Sequence, residues 1–289
     1  GSGFFDVSNS RIGNLVRNAE GHPIGSFFGY KVLGLFRDAA DVAASPTQSD
    51  AAPGRFKYED VNADGQITAA DRTFFGDPNP DFTYGLNLGA TYKQFDISTV
   101  LYGSQGNKAI NYVRYWTDFL GTFTGAKSKA LLNAWTPVDR NVDRAQWTAT
   151  NPNAKTPAAE TSSNFSNSGS GSFNSYYMEN GSFLKMRSLQ IGYTIKPKQL
   201  GKIQIDRLRI YLQGANLFTI TKYTGIDPEL TPSTGNLGNG GGTANPPSIG
   251  AFGNPNALNN SQASAAFGID YGNYPNNQRS FLVGINLTF

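Results

Sequence analysis

The twelve residues from Asp60 to Asp71 have the types and the spacing of a calcium-binding loop. Asp60, Asn62 and Asp64 place oxygen atoms at positions one, three and five, and Asp71 brings a carboxylate to position twelve. Such a loop directs several oxygens toward one ion, although aspartate at position twelve has a shorter reach than the usual glutamate. The alternative is an Asp- and Asn-rich turn that holds no ion. The predicted ligands, with calcium as cofactor, are Asp60, Asn62, Asp64, Gln66 and Asp71.

Residues suited to covalent or acid–base catalysis are few. His22 is the only histidine and there is no cysteine, so Ser-His-Asp, Cys-His and histidine-rich zinc sites are incomplete within this chain. Asp227 and Glu229 are a carboxylate pair of the kind that serves glycosidases, but we favour a structural role within their loop. We therefore predict that the protein is not an enzyme. An envelope hydrolase is the alternative, and it would need a nucleophile and a base brought together.

Composition and charge limit the class of protein. Of 289 residues, 38% are apolar and 13% aromatic. No run approaches the roughly 18 apolar residues that a membrane helix needs, which excludes a helical membrane protein. The net charge of +3, from 24 basic and 21 acidic residues without a long block of one sign, gives nucleic-acid binding no support. The chain begins Gly1-Ser2-Gly3 without a visible signal peptide, and we expect a fragment of a longer envelope protein.

Alternation of apolar and polar residues predicts the elements that carry these side chains. From Phe82 to Tyr92, aromatic and aliphatic residues fall on one face and Thr, Gly and Asn on the other. This period indicates a strand rather than a helix. Eleven residues at about 3.3 Å each, tilted by about 45°, cross roughly 25 Å, the height of the apolar band of an outer-membrane barrel.

Four further strands follow with the same period, at 95–102, 188–195, 207–213 and 280–289. Short turns at Lys93-Gln94 and Pro197–Gln204 alternate with two long connections, one after Tyr102 and one from Thr221 to Asn276. In outer-membrane barrels, short turns lie on the periplasmic side and long loops on the extracellular side. Arg207 and Arg209 share one face, which we therefore assign to an aqueous lumen.

These patterns predict an all-β fold, a transmembrane antiparallel β-barrel with long extracellular loops. Residues 1–81 are predicted to form an extracellular loop region with the calcium-type loop and one further candidate barrel strand at Tyr30–Phe36. Residues 82–289 are predicted to form the last five barrel strands with two long extracellular loops. Five or six strands cannot close a barrel, so the missing strands must come from elsewhere in the native protein. A soluble β-sandwich is the alternative, because packing on a core also produces alternation.

Aromatic residues supply two further hypotheses. The last strand ends on Phe289 with apolar residues at alternate positions, and it resembles the C-terminal signal that the barrel-assembly machinery reads in outer-membrane proteins. Tyr112, Tyr115 and Trp116 could stack on sugar rings, but we favour a place in the core of their own loop. The residues of the predicted assembly signal are Phe281, Val283, Ile285, Leu287 and Phe289.

Several short sequence words, in order along the chain, resemble the C-terminal region of SusC/RagA-type TonB-dependent outer-membrane transporters. Each word is short, but their order covers nearly the whole chain. The words are HPIGSFFGY from His22, GLF from Gly34, DVNADGQI from Asp60, LKMRSLQIGY from Leu184, RIYLQGANLF from Arg209, YTGIDPE from Tyr223, Tyr274-Pro275, and GINLTF from Gly284.

The resemblance implies a fold and a function. It implies the C-terminal strands of a 22-stranded, multi-pass barrel in the lipid of a Gram-negative outer membrane of Bacteroidota type, with a plug domain and a TonB-contacting segment outside this sequence. Such transporters import oligosaccharides or peptides with a SusD-like surface lipoprotein, and the TonB complex supplies energy through the plug. A surface β-protein that binds glycans or protein partners without transport is the alternative function.

Overall fold

The structure, a computed structural model, describes residues 5–9, 12–121, 125–160, 173–196, 206–230, 268–272 and 278–289, and for residues 5–9 it describes the backbone. Contacts divide the chain into two compact units. The first unit consists of Gly1–Asn79, Ala109–Glu179 and Leu230–Gly272, and the second of Pro80–Lys108, Asn180–Glu229 and Asn273–Phe289. Each unit therefore combines segments that are distant in sequence.

Strands dominate the described residues, and no helix among them is long and apolar enough to cross a membrane. The elements are β1 Phe5–Asn9, β2 Gly13–Asn18, β3 Phe27–Tyr30, β4 Val32–Leu35, α1 Ala39–Ala43, β5 Thr47–Gln48, β6 Phe56–Tyr58, β7 Gln66–Ile67, β8 Arg72–Gly76, β9 Phe82–Tyr92, β10 Phe95–Gln105, β11 Lys108–Asn111, α2 Val113–Thr117, β12 Met178–Asn180, β13 Phe183–Ile195, β14 Arg207–Ala215, β15 Thr219–Thr221, β16 Ile269–Asp270 and β17 Ser280–Thr288.

Small sheets and an aromatic-rich core form the first unit. Its largest sheet has the order β1-β2-β3-β8, and β4 pairs with β6, β5 with β7, and β11 with β16. The amide of Phe173 donates to the carbonyl of Ile12, and the amide of Tyr30 donates to the carbonyl of Phe173. Phe56 meets Phe119 edge-on, with 6.3 Å between ring centroids. Side chains of the long connection after Tyr102 therefore share one core with residues from the beginning of the chain.

The long strands of the second unit form one antiparallel sheet, which we call the wall sheet. Its order is β9-β10-β13-β14-β17, and the short strand β15 pairs with one end of β13. Neighbours in the sheet are also neighbours among the long strands of the sequence, as the up-and-down prediction requires. Lys93 and Gln94 close the first hairpin, and Lys93 adopts a positive φ of 56°, a conformation that short hairpin turns demand.

A β-bulge shifts the register of β13 against β10. Val100 lies opposite Ser188, and the next residue, Leu101, lies opposite Met186, so Arg187 is the extra residue. Since successive residues of a strand point to opposite faces, one extra residue moves every side chain before it to the other face. Lys185, opposite Tyr102, therefore shares the face of Ser188 rather than the face that strict alternation from Leu189 would give it.

The structure differs from the predicted layout in two respects. Tyr30–Phe36, the candidate sixth wall strand, does not join the wall sheet, because β3 pairs with β2 and β8 while β4 pairs with β6. Residues 109–179 of the first long connection belong to the first unit, so the units cross the predicted boundary between residues 81 and 82. The predicted turn at Pro197–Gln204, the word Tyr274-Pro275 and most of the connection from Thr221 to Asn276 lie outside the described residues.

Candidate functional site

One face of the wall sheet is apolar and exposed. Ile97, Ile191, Leu212 and Val283 are cross-strand partners in turn and make one continuous row across it. All four are between 44% and 72% exposed. A sandwich buries such a face in a core, whereas a large contiguous exposed patch marks an interaction surface. The large exposed side chains of this face are Phe82, Tyr84, Leu86, Leu88, Tyr92, Phe95, Ile97, Ile191, Ile210, Leu212, Phe281, Val283, Ile285 and Leu287.

The opposite face of the wall sheet is polar and carries a connected network. The guanidinium of Arg209 donates to the carboxylate of Asp96, with 3.0 Å between Nε and Oδ1, and to Oε1 of Gln190 at 2.8 Å. Gln190 in turn donates to Gln213 at 3.2 Å. The sequence predicted the polar face for Arg209, and the structure supplies its partners. Arg209 is thus a charged side chain, paired with Asp96, on a strand whose opposite face is apolar.

Glycines on the wall strands make room for aromatic rings on neighbouring strands. Gly284 lies opposite Tyr211 on the polar face, and a Cβ at Gly284 would lie 2.3 Å from that ring. Gly103 lies opposite Tyr84 on the other face, where a Cβ would lie 2.1 Å from the ring. Any larger residue at either position would displace the ring. These pairs pin the register of the strands that carry them.

The last strand presents four residues of the predicted assembly signal, and the fifth follows directly after it. Val283 pairs with Leu212, Ile285 with Ile210 and Leu287 with Leu208, so they face the apolar side. Phe289 follows the last residue of β17 and is exposed. The geometry thus places the signal residues Phe281, Val283, Ile285 and Leu287 on the apolar face of β17, with Phe289 directly after it.

The acidic loop folds around its own amide groups. The carboxylate of Asp60 accepts from the amides of Asp64 and Gly65, at 3.3 and 2.8 Å. The side-chain amide of Asn62 donates to the carboxylate of Asp64 at 2.9 Å, and the amide of Gln66 donates to the same carboxylate at 2.8 Å. Gly65 turns the chain with φ at +82°. The oxygens at positions one, three and five are therefore gathered at one turn.

Asp71, at position twelve of the loop, is fully buried and bound by backbone amides. Oδ1 accepts from Val61 at 2.9 Å and Oδ2 accepts from Thr68 at 2.7 Å. Burial by itself raises the pKa of this carboxyl, but the amide donors outweigh burial and hold the pKa below its usual range. Among the described residues, no group of three or more His, Asp and Glu side chains is arranged to hold a metal. An ion would therefore recruit oxygens that now accept from loop amides.

A groove of about 560 Å³ runs beside the acidic loop in the first unit. Asp60 and Val61 form one side of it, and its rim carries the ion pair of Lys31 and Glu59, with 2.9 Å between Nζ and Oε2. Such a volume is in the range of ligand pockets. The other lining residues are Val32, Thr73, Phe74, Phe75, Ser175 and Met178.

The remaining sequence candidates have structural surroundings. His22 stacks on Phe74 with 3.6 Å between ring centroids. Tyr112 and Tyr115 are buried in the core of the first unit, and Trp116 packs against that core, which favours the core interpretation over a sugar platform.

A charged cluster on the wall sheet was missed by the sequence analysis. Asp227 and Glu229, considered there as a carboxylate pair, both bind the ammonium of Lys185. Glu229 also binds Arg187. The carboxylates are thus neutralised by two cations from β13, which supports a structural role. The sequence does carry a signal for the cluster, because the apolar residues of this strand shift from even-numbered to odd-numbered positions between Met186 and Leu189.

The wall sheet is antiparallel and amphipathic, with strands of up to 13 residues, one exposed apolar face and one polar face with ion pairs. These features define an all-β protein with a wall of the outer-membrane barrel type. Comparison with models of protein families finds no match.

The chain is 32% identical to the TonB-dependent receptor P3 of Formosa agariphila over 271 residues, which are 93% of this chain and 22% of that receptor. It is 28% identical to the TonB-dependent receptor P26 of the same organism over 269 residues. The TonB-dependent receptor SusC of Bacteroides thetaiotaomicron is 30% identical over 177 residues, which are 60% of the chain. The chain spans less than a quarter of the length of these relatives.

Solved structures of a RagAB peptide transporter and of a RagAB peptide importer in an open-open state match 99% and 100% of the chain, with TM-scores of 0.63 and 0.62. The matched region is 24% of each solved chain, at 24% and 23% sequence identity. At this level of identity the match shows the fold alone. The resemblance of the chain's sequence words to SusC/RagA-type TonB-dependent receptors is confirmed by the receptors named above. The relatives are receptors by name, in agreement with the prediction that the protein is not an enzyme.

Proposed function

We propose that this chain is the C-terminal part of the wall and loops of an importer that carries oligosaccharides or peptides across a Gram-negative outer membrane. The observation that carries the proposal is the exposed apolar face of the wall sheet, backed by a face on which Arg209 is paired with Asp96. In a membrane barrel the first face contacts lipid and the second lines an aqueous lumen. The names of the relatives and the fold of the RagAB structures support the assignment.

The wall sheet is one arc of a 22-stranded barrel in this proposal. β9 and β17 are the two edges of the sheet, and unpaired edges in hydrocarbon are prohibitively costly. Strands from the rest of a longer protein therefore pair with both edges. That protein also carries the plug through which the TonB complex supplies energy.

The first unit is the extracellular part in this proposal, and it contributes to the contact with a SusD-like surface lipoprotein. The match with SusC and the fold shared with RagAB support such a partner. The last strand, with its alternating apolar residues and terminal Phe289, is the segment that the barrel-assembly machinery recognises. The last strand has membrane lipid on its apolar side and water on its polar side in this proposal.

The acidic loop is the proposed calcium site. Its oxygens at positions one, three and five lie at one turn, and the pattern at positions six and twelve fits an ion with oxygen ligands. Asp60, Asn62, Asp64, Gln66 and Asp71 would hold the ion, which would cross-link the turn to the start of β8. A bound ion would thus stabilise the wall of the adjacent groove.

The test of the importer proposal uses the full-length protein expressed in a Bacteroidota host. We expect it to fractionate with outer membranes, to migrate faster on gels before heating than after it, and to purify with a surface lipoprotein. Uptake of labelled oligosaccharides and oligopeptides by cells with and without the gene then identifies the substrate class. A protein that fractionates with the soluble material and migrates identically before and after heating would contradict the proposal.

A binding protein without transport is the second candidate, and the groove beside the acidic loop favours it. Such a protein would bind glycans or protein partners at the surface through the first unit. Deletion of the gene would then reduce cell-surface binding of the labelled ligand and leave its accumulation inside the cells unchanged. The importer proposal expects accumulation to be lost.

A further inference from the structure

Lys185 is a fully buried cation on a wall strand. Its ammonium Nζ lies 3.2 Å from Oδ1 of Asp227 and 2.8 Å from Oε2 of Glu229, and its side chain has no exposed surface. Arg187, two residues later, binds the other oxygen of Glu229. The cluster therefore contains two cations from β13 and two carboxylates from residues about forty positions later.

The β-bulge at Arg187 is what brings Lys185 into this cluster. Met186 lies opposite Leu101 on the apolar face, so Lys185 lies opposite Tyr102 on the polar face. On the other side of the strand, Lys185 lies opposite Thr219 of β15. Without the extra residue, the ammonium would point to the face that bears Leu189 and Ile191, where a charge is destabilising in contact with lipid.

The segment that supplies the carboxylates begins as a strand within the wall sheet and ends against the side chains of the polar face. β15 adds a short strand beside the start of β13, with Thr221 opposite Phe183. The hydroxyl of Thr221 donates to the carbonyl of Ser182 at 2.8 Å. Tyr223 and Asp227 are buried, and the amide of Glu229 donates to the carboxylate of Asp227 at 3.0 Å. The segment is therefore tied to β13 at both ends, by strand pairing of β15 and by the ion pairs of Asp227 and Glu229.

Electrostatics explains why this segment stays in place. A buried ammonium left without partners is strongly unfavourable, so departure of the carboxylates would strand Lys185. Burial raises the pKa of Glu229, but hydrogen bonds and charge from Arg187 and Lys185 outweigh burial and hold the pKa below its usual range. Glu229 therefore stays charged, and the attraction persists, at neutral pH.

We propose that residues 219–229 are a strap that leaves the wall sheet at β15 and is fixed on its polar face at Asp227 and Glu229, and that Lys185 and Arg187 are the positioning residues that hold it there. The strap fixes the point at which the second long connection leaves the wall. On the function proposed above, that point is the extracellular mouth of the lumen, and the strap is a fixed part of the entrance rather than a free loop. The strap itself does not depend on that assignment.

Hydrogen exchange of the full-length protein in detergent, followed by mass spectrometry of peptides covering 219–229, tests the proposal. We expect Lys185→Met to accelerate exchange in these peptides at least about tenfold, because the strap loses its central charge pair. Exchange in the β9–β10 hairpin should not change. Lys222→Met is the matched control, since Lys222 is exposed within the same segment, and it should leave exchange as in the wild type.

Charge reversal separates positioning from general structural damage. Arg187→Glu should accelerate exchange in the strap, because it places a carboxylate beside Glu229, whereas Arg187→Lys keeps the charge and should leave exchange slow. Unchanged exchange in Lys185→Met, or equal exchange in Arg187→Glu and Arg187→Lys, would overturn the strap. Heat-dependent gel migration of the same samples reports on the barrel independently. If Lys185→Met accelerates exchange in the strap but the wild type shows no heat-dependent migration, the importer proposal is refuted and the strap is not.

Discussion

At the scale of residues, two neighbours on the last strand are expected to respond oppositely to the same substitution. Val283 is 72% exposed on the apolar face, and Leu282 is 52% exposed on the polar face, opposite Gln213. Arginine in contact with lipid near the middle of a barrel strand costs about 2–4 kcal/mol, whereas arginine toward a lumen costs little. Val283→Arg should therefore reduce the amount of folded protein in the outer membrane, and Leu282→Arg should not.

The measurement compares the heat-modifiable fraction of the two full-length variants in isolated outer membranes, together with their urea unfolding midpoints in lipid vesicles. The pair is matched, because the two residues are adjacent, apolar and exposed. Equal effects of both substitutions would mean that the two faces see the same solvent. The assignment of lipid to the apolar face could not survive that outcome.

The acidic loop gives a prediction at the same scale. If Asp60 ligates calcium, calcium at 100 times its dissociation constant should stabilise the protein by about 2.7 kcal/mol and raise the unfolding temperature of the first unit. Asp60→Asn should weaken this response, because an amide oxygen replaces a charged carboxylate oxygen among the ligands. Asp50→Asn, outside the loop, is the control.

Differential scanning calorimetry with calcium, magnesium and chelator measures the response. Magnesium should not replace calcium, because a loop of this kind offers more ligands and a less regular geometry than magnesium accepts. The same melting temperature in calcium and in chelator would identify the loop as an Asx-rich turn held by its own hydrogen bonds.

At the scale of elements, the long strands could be predicted and the bulge could not be, because they depend on different signals. β9 alternates over its whole length, so its period alone specifies both faces. In β13 the alternation of apolar and polar residues shifts by one position between Met186 and Leu189. Alternation counted back from Leu189 therefore assigns Lys185 to the wrong face. The phase change is visible in the sequence, but its meaning depends on the partner strand, since only the register against β10 shows an extra residue.

A clamp between segments of the first unit leads to a pH prediction. Glu160 accepts from Arg55 and Arg144, with 2.8 Å to each nearest nitrogen. Burial raises the pKa of Glu160, but the two guanidinium groups outweigh burial, and the pKa is held below its usual range. The folded state therefore binds this proton less well than the unfolded state does. The stabilisation is present above the unfolded pKa of about 4.3 and is lost as the pH falls through the lower folded value.

Glu160→Gln should lower the free energy of unfolding of the first unit by about 1–3 kcal/mol at pH 7, because hydrogen bonds to charged groups are lost. The difference between variant and wild type should shrink as the pH falls from 5 toward 3. Urea unfolding followed by tryptophan fluorescence reports it, since Trp147 lies over the guanidinium of Arg144, 4.9 Å from ring centroid to Cζ. A difference independent of pH would show that the carboxylate charge is not what the clamp uses.

At the scale of the whole molecule, the arrangement of the first unit lay beyond prediction from the sequence. Its core depends on contacts such as that of Phe173 with Ile12 and Tyr30, and nothing local in the sequence pairs these residues. Period and turn signals report on neighbours along the chain, whereas this unit joins segments separated by more than a hundred positions. The aromatic residues of the long connection were recognised as core material, but the core they share with the beginning of the chain was not.

The edges of the wall sheet give the last prediction. β9 and β17 each leave one side unpaired within the described residues, and in hydrocarbon each unsatisfied backbone group costs several kcal/mol. Residues 1–289 expressed alone with a signal peptide should therefore fail to give a heat-modifiable species, whereas the full-length protein should give one. Expression together with the remainder of the full-length protein as a second chain should restore it, because both edges then find partners. If residues 1–289 alone formed a heat-modifiable monomer, the sheet would close on itself, and the 22-stranded barrel would be the wrong architecture for this chain.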